Sequence, residues 1–180
     1  MARLVLFALT AALVGACSGT DRLNPGQPVG AFHVTGLLTA TSCGPTPSPW
    51  EFDVKLRHDG QSLYWVQGDA PASGTVDLTS HVVIASSDTR TLRDGDEKQK
   101  LAACVVTRTD SLTVELTDGA TAVSNVGSTK ALRGTLTYRF APTPASMCDD
   151  QLLSTGGDYQ ALPCEVHYTI TAFRMGDLPK

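Results

Sequence analysis

The chain has 180 residues, a formal net charge of −4 and a hydrophobic fraction of 42 per cent, which is enough for one folded domain with its own core. No basic stripe runs along it, so the composition argues against a nucleic-acid partner. Threonine is abundant and the helix-forming residues Lys, Glu and Gln are few, which favours strands over helices.

The N-terminus has the layout of an export signal. One positive charge precedes an apolar run that ends at Val14, and this run is shorter than the roughly 20 residues of a membrane-spanning helix. The sequence Val14-Gly15-Ala16-Cys17 resembles the lipobox of bacterial lipoproteins. The resemblance implies a signal peptide over residues 1–16, a diacylglycerol on the sulfur of Cys17 and an N-terminal acyl chain such as palmitate. The alternative is an ordinary leader followed by an incidental cysteine.

The residues after the predicted cleavage site indicate where the protein is held. By the sorting rule of such lipoproteins, Ser18 rather than Asp after Cys17 favours the outer membrane over the inner one. Several acyl chains on one residue meet the requirement for stable anchoring. Residues 17–30 contain proline and glycine without an apolar period, which predicts a flexible tether of at most about 45 Å. We expect residues 31–180 to form a single domain.

The expected domain contains an even set of cysteines once Cys17 is set aside. They are Cys43, Cys104, Cys148 and Cys164. In an oxidising compartment such a set predicts two disulfides. Three pairings are possible, and we favour Cys43–Cys104 with Cys148–Cys164 because the second bond closes a short polar loop. No CxxC or His-x-x-x-His spacing supports zinc, so we expect no metal and no cofactor.

Apolar and polar side chains alternate along most of the domain. The clearest example is residues 50–57, where four apolar residues alternate with four charged ones, as in a strand with one buried face. Asp59-Gly60 then predicts a hairpin turn. Similar alternation predicts further strands around Phe32, Leu63, Val76, Val82, Val106, Val114, Leu136 and Tyr168. Residues 86–100 are mostly polar and contain an Asp-Gly-Asp turn, which predicts a loop.

This pattern predicts an all-β fold with little helix. About eight or nine strands joined by short turns indicate an antiparallel meander. Such a sheet hides its edges by closing into a small barrel or by folding into a two-sheet sandwich. The many hairpin-like connections favour the barrel.

Short motifs within the domain add a second resemblance. They are Thr41-Ser42-Cys43-Gly44, His58-Asp59-Gly60 leading to Leu63-Tyr64-Trp65, and Leu162-Pro163-Cys164. Together with the lipobox, they resemble the small cysteine-paired lipoproteins of predatory and soil bacteria of the myxobacterial type. The functions of that group are uncharacterised, so the resemblance implies no enzymatic activity.

Few residues are candidates for chemistry. The chain has no Gly-x-Ser-x-Gly, no Ser-x-x-Lys and no phosphate-binding glycine loop. His33 and His167 are candidates for a metal or acid–base site, because closure of a barrel would bring the first and last strands together. The acidic turn at Asp94 lacks the Glu that a calcium loop needs at its twelfth position. Asp149-Asp150 is a candidate cation site, with solvated carboxylates as the simpler interpretation.

Aromatic residues on the predicted strands are the candidates for a ligand cavity. They are Trp50, Tyr64, Trp65, Tyr138 and Phe140. A small barrel either encloses one ligand or fills with side chains. We therefore expect a non-enzymatic binding or structural module of the cell envelope, held to the membrane by its lipid. The alternative is a carrier of a small apolar ligand, and a hydrolase is the least favoured function. Besides the membrane, the expected partner is either an envelope protein or a small apolar ligand.

Overall fold

A computed structural model describes residues 22–68 and 70–178 of the protein. These residues form eight antiparallel strands that close into a barrel in sequence order, so the predicted meander barrel is confirmed over the sandwich. The strands are β1 (Gln27–Thr41), β2 (Trp50–Asp59), β3 (Ser62–Gln67), β4 (Ala70–Val76), β5 (His81–Arg93), β6 (Cys104–Thr117), β7 (Ala131–Pro142) and β8 (Cys164–Gly176). The predicted signal peptide of residues 1–16 and the lipidation site Cys17 lie outside the described residues.

Helical structure within the described residues is confined to single 3₁₀ turns in the loops. They are Val126–Ser128, Asp149–Gln151 and Leu153–Thr155. No helix in this part of the chain is long and apolar enough to cross a membrane.

The barrel has two distinct ends because its strands alternate in direction. The chain enters at Gln27, and the turns at Gly60 and Leu78 lie at the same end, which we call the N-terminal end. The long connections of residues 94–103 and 143–163 lie at the opposite end, which we call the rim.

Apolar side chains fill the barrel near its N-terminal end. Alternate residues of each strand point inward, so the period-two pattern of the sequence becomes a continuous core. The largest fully buried side chains are Phe32, Leu56, Leu63, Leu116, Leu132 and Ile170. This packed core supplies much of the stability of the barrel, because each buried side chain of this size contributes about 1.5–3 kcal/mol.

The barrel begins earlier than the sequence predicts. β1 starts at Gln27, so the end of the expected 17–30 tether belongs to the domain, and Val29 is only 1% exposed. The guanidinium of Arg57 donates hydrogen bonds to the carbonyls of Pro25 and Gly26, at 2.9 and 2.7 Å. A register shift between Pro28 and Gly30 interrupts the alternation, which explains why the pattern did not reveal this start.

All four cysteines of the domain form disulfides, but the favoured pairing of Cys43 with Cys104 and Cys148 with Cys164 is wrong. The bonds are Cys43–Cys164 and Cys104–Cys148, with Cα–Cα distances of 5.0 and 4.9 Å. Cys43 follows β1 and Cys164 begins β8, and closure of the barrel makes these strands neighbours. Both bonds lie at the rim.

The loop predicted for residues 86–100 is also partly wrong. β5 continues to Arg93 and pairs with β6 along this whole length. Residues 85–92 are all exposed. A strand with solvent on both faces needs no apolar phase, so its sequence carries no period-two signal.

Candidate functional site

The wall of the barrel is open at the rim between β4 and β5. The two strands pair at only three positions, and the last is Gly74 opposite Ile84. Beyond Ile84, none of the described residues pairs with the β4-facing edge of β5. The opening gives access to the interior of the barrel, and we call it the rim cleft.

Gly74 allows β4 and β5 to approach closely where the cleft begins. A Cβ atom at this position would lie 2.1 Å from the carbonyl oxygen of Val83, a distance that no real contact reaches. Only glycine therefore fits at the last paired position without moving the backbone.

The rim cleft has a narrow inner part and a wider outer part. The inner part has a volume of about 140 Å³ and the outer part about 580 Å³. Both parts are lined by Gln67, Ala70, Ala72, Ser86, Arg108, Asp110 and Tyr138. Trp65 lines the inner part, and Trp50, Asp88 and Arg90 line the outer part. The lining thus combines aromatic rings with charged and neutral polar groups.

Arg108 and Asp110 form a bidentate ion pair inside the cleft. The Nε and Nη2 atoms of Arg108 donate to the two carboxylate oxygens of Asp110, at 2.6 and 2.9 Å. The guanidinium carbon lies 4.3 Å from the centroid of the Tyr138 ring, in cation–π geometry. The side chains of Arg108 and Asp110 are 36% and 29% exposed, so a ligand in the cleft can reach both.

A second ion pair joins the first across β5 and β6. Arg90 donates from Nε to Asp88 at 2.8 Å, and this hydrogen bond holds the pKa of the Asp88 carboxyl below its usual range. In the register of the sheet, Asp88 lies directly opposite Arg108 and Ser86 directly opposite Asp110. Positive and negative side chains therefore alternate along each strand, opposite charges face each other at Asp88 and Arg108, and the four charges cancel.

Aromatic side chains form one wall of the cleft. The ring of Trp50 lies 4.4 Å from Phe52, 5.6 Å from Tyr138 and 5.5 Å from Tyr168, measured between centroids. Burial strongly raises the pKa of the Tyr138 hydroxyl, so this phenol stays neutral. Trp65 joins the group through Phe52, at 6.2 Å. These mutual contacts hold the rings in place.

The structure separates the predicted aromatic candidates into two groups. Trp50, Trp65 and Tyr138 line the rim cleft. Tyr64 alternates with the buried Leu63 and Trp65 and so points to the outside of the barrel. Phe140 packs against the Tyr159 ring at 5.7 Å, beside the Cys104–Cys148 bond.

The charged residues of the cleft were missed from the sequence although a signal was present. Leu112, Val114 and Leu116 define the inward phase of β6, and the same phase leads back to Asp110 and Arg108. Charged residues rarely occupy inward positions of a strand unless they form an ion pair or belong to a binding site.

The histidine pair predicted from barrel closure does not form. β1 and β8 are neighbours, but His167 lies opposite Ala40, roughly 20 Å along the strand from His33. Nδ1 of His33 lies 2.8 Å from Asp53, and Nε2 of His167 lies 3.2 Å from Glu165. Within residues 22–68 and 70–178, no three His, Cys, Asp or Glu side chains lie close enough to hold a metal ion.

The two acidic candidates have structural roles. In the turn that begins at Asp94, the carboxylate of Asp96 accepts hydrogen bonds from the backbone N–H groups of Lys98 and Gln99. Asp150 accepts a hydrogen bond from Arg93 at 2.7 Å, which lowers the pKa of its carboxyl. The Asp149-Asp150 sequence therefore ties the end of β5 to the loop that precedes β8.

A second depression of about 430 Å³ lies at the N-terminal end, beside His58, Asp77 and Val126. Among the described residues, no partner hydrogen-bonds to the buried Nδ1 of His58. The depression lacks the aromatic wall and the paired charges of the rim cleft, which is therefore the better candidate site.

Comparison with known proteins gives no counterpart for the rim cleft. No protein-family model matches the sequence, and neither a curated protein nor a solved structure matches it significantly.

Proposed function

We propose that the protein is a lipid-anchored, non-enzymatic module of the bacterial cell envelope that binds a small molecule in the rim cleft. The observation that carries this proposal is the opening between β4 and β5, where aromatic and charged side chains converge on one space. Its outer volume of about 580 Å³ falls within the range of small-molecule sites, about 300–1,000 Å³.

The filled core favours a polar ligand over the apolar one considered from the sequence. An apolar carrier needs free space among aliphatic side chains, and Phe32, Leu56 and Ile170 occupy that part of the barrel. The free space lies instead beside Arg108 and Asp110. Binding these groups requires a molecule with its own hydrogen-bonding groups, because an apolar ligand would leave them unsatisfied.

The proposed anchor at Cys17 implies an orientation for the module. Cys17 lies about ten residues before Gln27, so an anchor there holds the N-terminal end within about 35 Å of the membrane. Exposed apolar side chains at this end are Leu78, Val83, Phe173 and Met175. They suit contact with a lipid surface, and the rim cleft then faces away from the membrane.

The anchor is tested by replacing Cys17 with alanine. We expect the variant to lose incorporation of labelled palmitate and to leave the membrane fraction, because the acylated sulfur is absent. A Ser18→Ala variant, which keeps the lipobox, should remain labelled and membrane-bound. Labelling that persists in Cys17→Ala would contradict the anchor.

The binding role is tested by native mass spectrometry of the protein extracted from its own cells. We expect a bound small molecule on the wild type and none on Ala72→Trp, because an indole at this inward position fills the cleft. Ala85→Trp is the matched control, since the same side chain then stands on the exposed outer face. A wild type without any bound molecule, or a molecule retained equally by Ala72→Trp, would count against the cleft.

A further inference from the structure

We infer that the rim cleft recognises a neutral saccharide. The inference rests on the proposed binding function of the cleft and adds the chemical class of its ligand.

The cancelled charges of the cleft favour a neutral ligand. Each guanidinium is already matched by a carboxylate, Arg108 by Asp110 and Arg90 by Asp88. An anionic or cationic ligand that engages Arg108 or Asp110 would have to break their bidentate pair and leave the former partner uncompensated, which is costly because both side chains are partly buried. The Arg90–Asp88 pair is exposed and adds little to this cost. A neutral ligand keeps both pairs intact.

The unused hydrogen-bonding capacity of the same groups matches hydroxyls. A guanidinium has five N–H donors and a carboxylate about four acceptor positions, so the bidentate Arg108–Asp110 pair leaves donors and acceptors over. Gln67 and Ser86 add groups that both donate and accept. A hydroxyl also donates and accepts, so a ligand with several hydroxyls can satisfy adjacent groups of both kinds.

The aromatic wall suits the other face of a sugar ring. Trp50 lines the outer cleft and is only partly buried, so its ring is the accessible one. Trp65 and Tyr138 are buried behind it, and Arg108 covers the Tyr138 ring. A sugar ring combines an apolar C–H surface with a hydroxyl-bearing periphery. Aromatic rings beside charge-assisted hydrogen-bonding groups complement both parts at once.

The edge of β5 is less suited to an extended peptide. A peptide that adds as a strand gains specificity from pockets that take its alternate side chains. The inward positions on this edge are instead Ser86, Asp88 and Arg90, and charged side chains on an edge strand oppose the addition of another strand. The free N–H and C=O groups of the edge remain available to hydroxyls.

The tryptophan positions make the inference directly measurable. Both tryptophans of the chain, Trp50 and Trp65, line the rim cleft, so intrinsic fluorescence reports its occupancy. The full lipidated protein, held in a zwitterionic detergent without sugar headgroups, is titrated with cellobiose, N,N′-diacetylchitobiose and trehalose. Glucuronate, glucosamine and a tetra-alanine peptide serve as charged and peptidic probes.

We expect a saturable change in tryptophan emission with at least one neutral disaccharide. Arg108→Gln and Asp110→Asn should weaken the apparent affinity at least about tenfold, because each removes charge-assisted hydrogen bonds. Arg133→Gln is the matched control, since Arg133 pairs with Glu115 at 2.8 Å on the same sheet but is 70% exposed. Gln67→Ala provides a milder cleft variant should the ion-pair variants fold poorly, as judged by circular dichroism.

The possible results separate this inference from the function on which it rests. Saturation by a neutral disaccharide that is lost in the cleft variants and kept in Arg133→Gln supports the saccharide. Saturation by glucuronate, glucosamine or the peptide alone overturns the saccharide but leaves the cleft as a binding site. No response to any neutral disaccharide also overturns it, and the molecule seen by native mass spectrometry then decides whether the cleft binds at all.

Discussion

Replacing Cys43 and Cys164 together with serine should lower the free energy of unfolding by about 5 kcal/mol. The bond joins residues 121 positions apart, and the entropy of an open loop of that length is worth about this much in the unfolded chain. A domain of this size has a total stability of about 5–15 kcal/mol, so the variant should be either unfolded or only weakly stable at 37 °C. Denaturant unfolding followed by circular dichroism measures the change.

Two comparisons show that the effect belongs to the bond. The Cys104→Ser/Cys148→Ser variant should lose slightly less, about 4 kcal/mol, because its loop spans 44 residues. In excess reductant the wild type and both variants should have similar free energies of unfolding, because neither disulfide is then present in any of them. A free energy of unfolding that falls by less than about 1 kcal/mol without Cys43 and Cys164 would refute the role assigned to this bond. Peptide mapping without reduction should recover Cys43 linked to Cys164.

Truncating Phe32 to alanine should cost about 3–5 kcal/mol. The ring is fully buried within the packed N-terminal half of the barrel, and its removal leaves a cavity that the closed sheet cannot collapse around. Chemical denaturation monitored by tryptophan fluorescence gives the value, because Trp50 and Trp65 lie inside the same barrel.

Phe173 supplies a matched control for Phe32. It is also a phenylalanine on the β1–β8 pair, but it points outward and is 66% exposed. Phe173→Ala should therefore change stability by no more than about 0.5 kcal/mol. Equal losses in the two variants would mean that the inward and outward faces of these strands are assigned incorrectly.

The strand pattern was predictable because a strand with one buried face has an apolar residue at every second position. Residues 50–57 follow this alternation without exception, and the structure places Val54 and Leu56 in the core. β5 shows the limit of the signal. Its residues 85–92 have solvent on both faces, and a strand without a buried face is indistinguishable from a polar loop in the sequence.

The candidate site was only half predictable for a related reason. Trp50, Trp65 and Tyr138 are aromatic residues in the inward phase of their strands, so they were recognised as candidates. Arg108 and Asp110 share that phase but were passed over, because the sequence cannot show that each neutralises the other. Their meaning depends on the opening beside them, which exists because β4 and β5 separate beyond Gly74.

The sequence by itself determined the all-β class, the meander order and the participation of all four domain cysteines in disulfides. These follow from local information, namely the alternation of side chains, the turn residues and an even cysteine count. Only the tertiary structure decided which cysteines pair, how far His33 lies from His167 and where the wall stays open. Each of these depends on closure and register, which join residues distant in the chain and leave no local pattern.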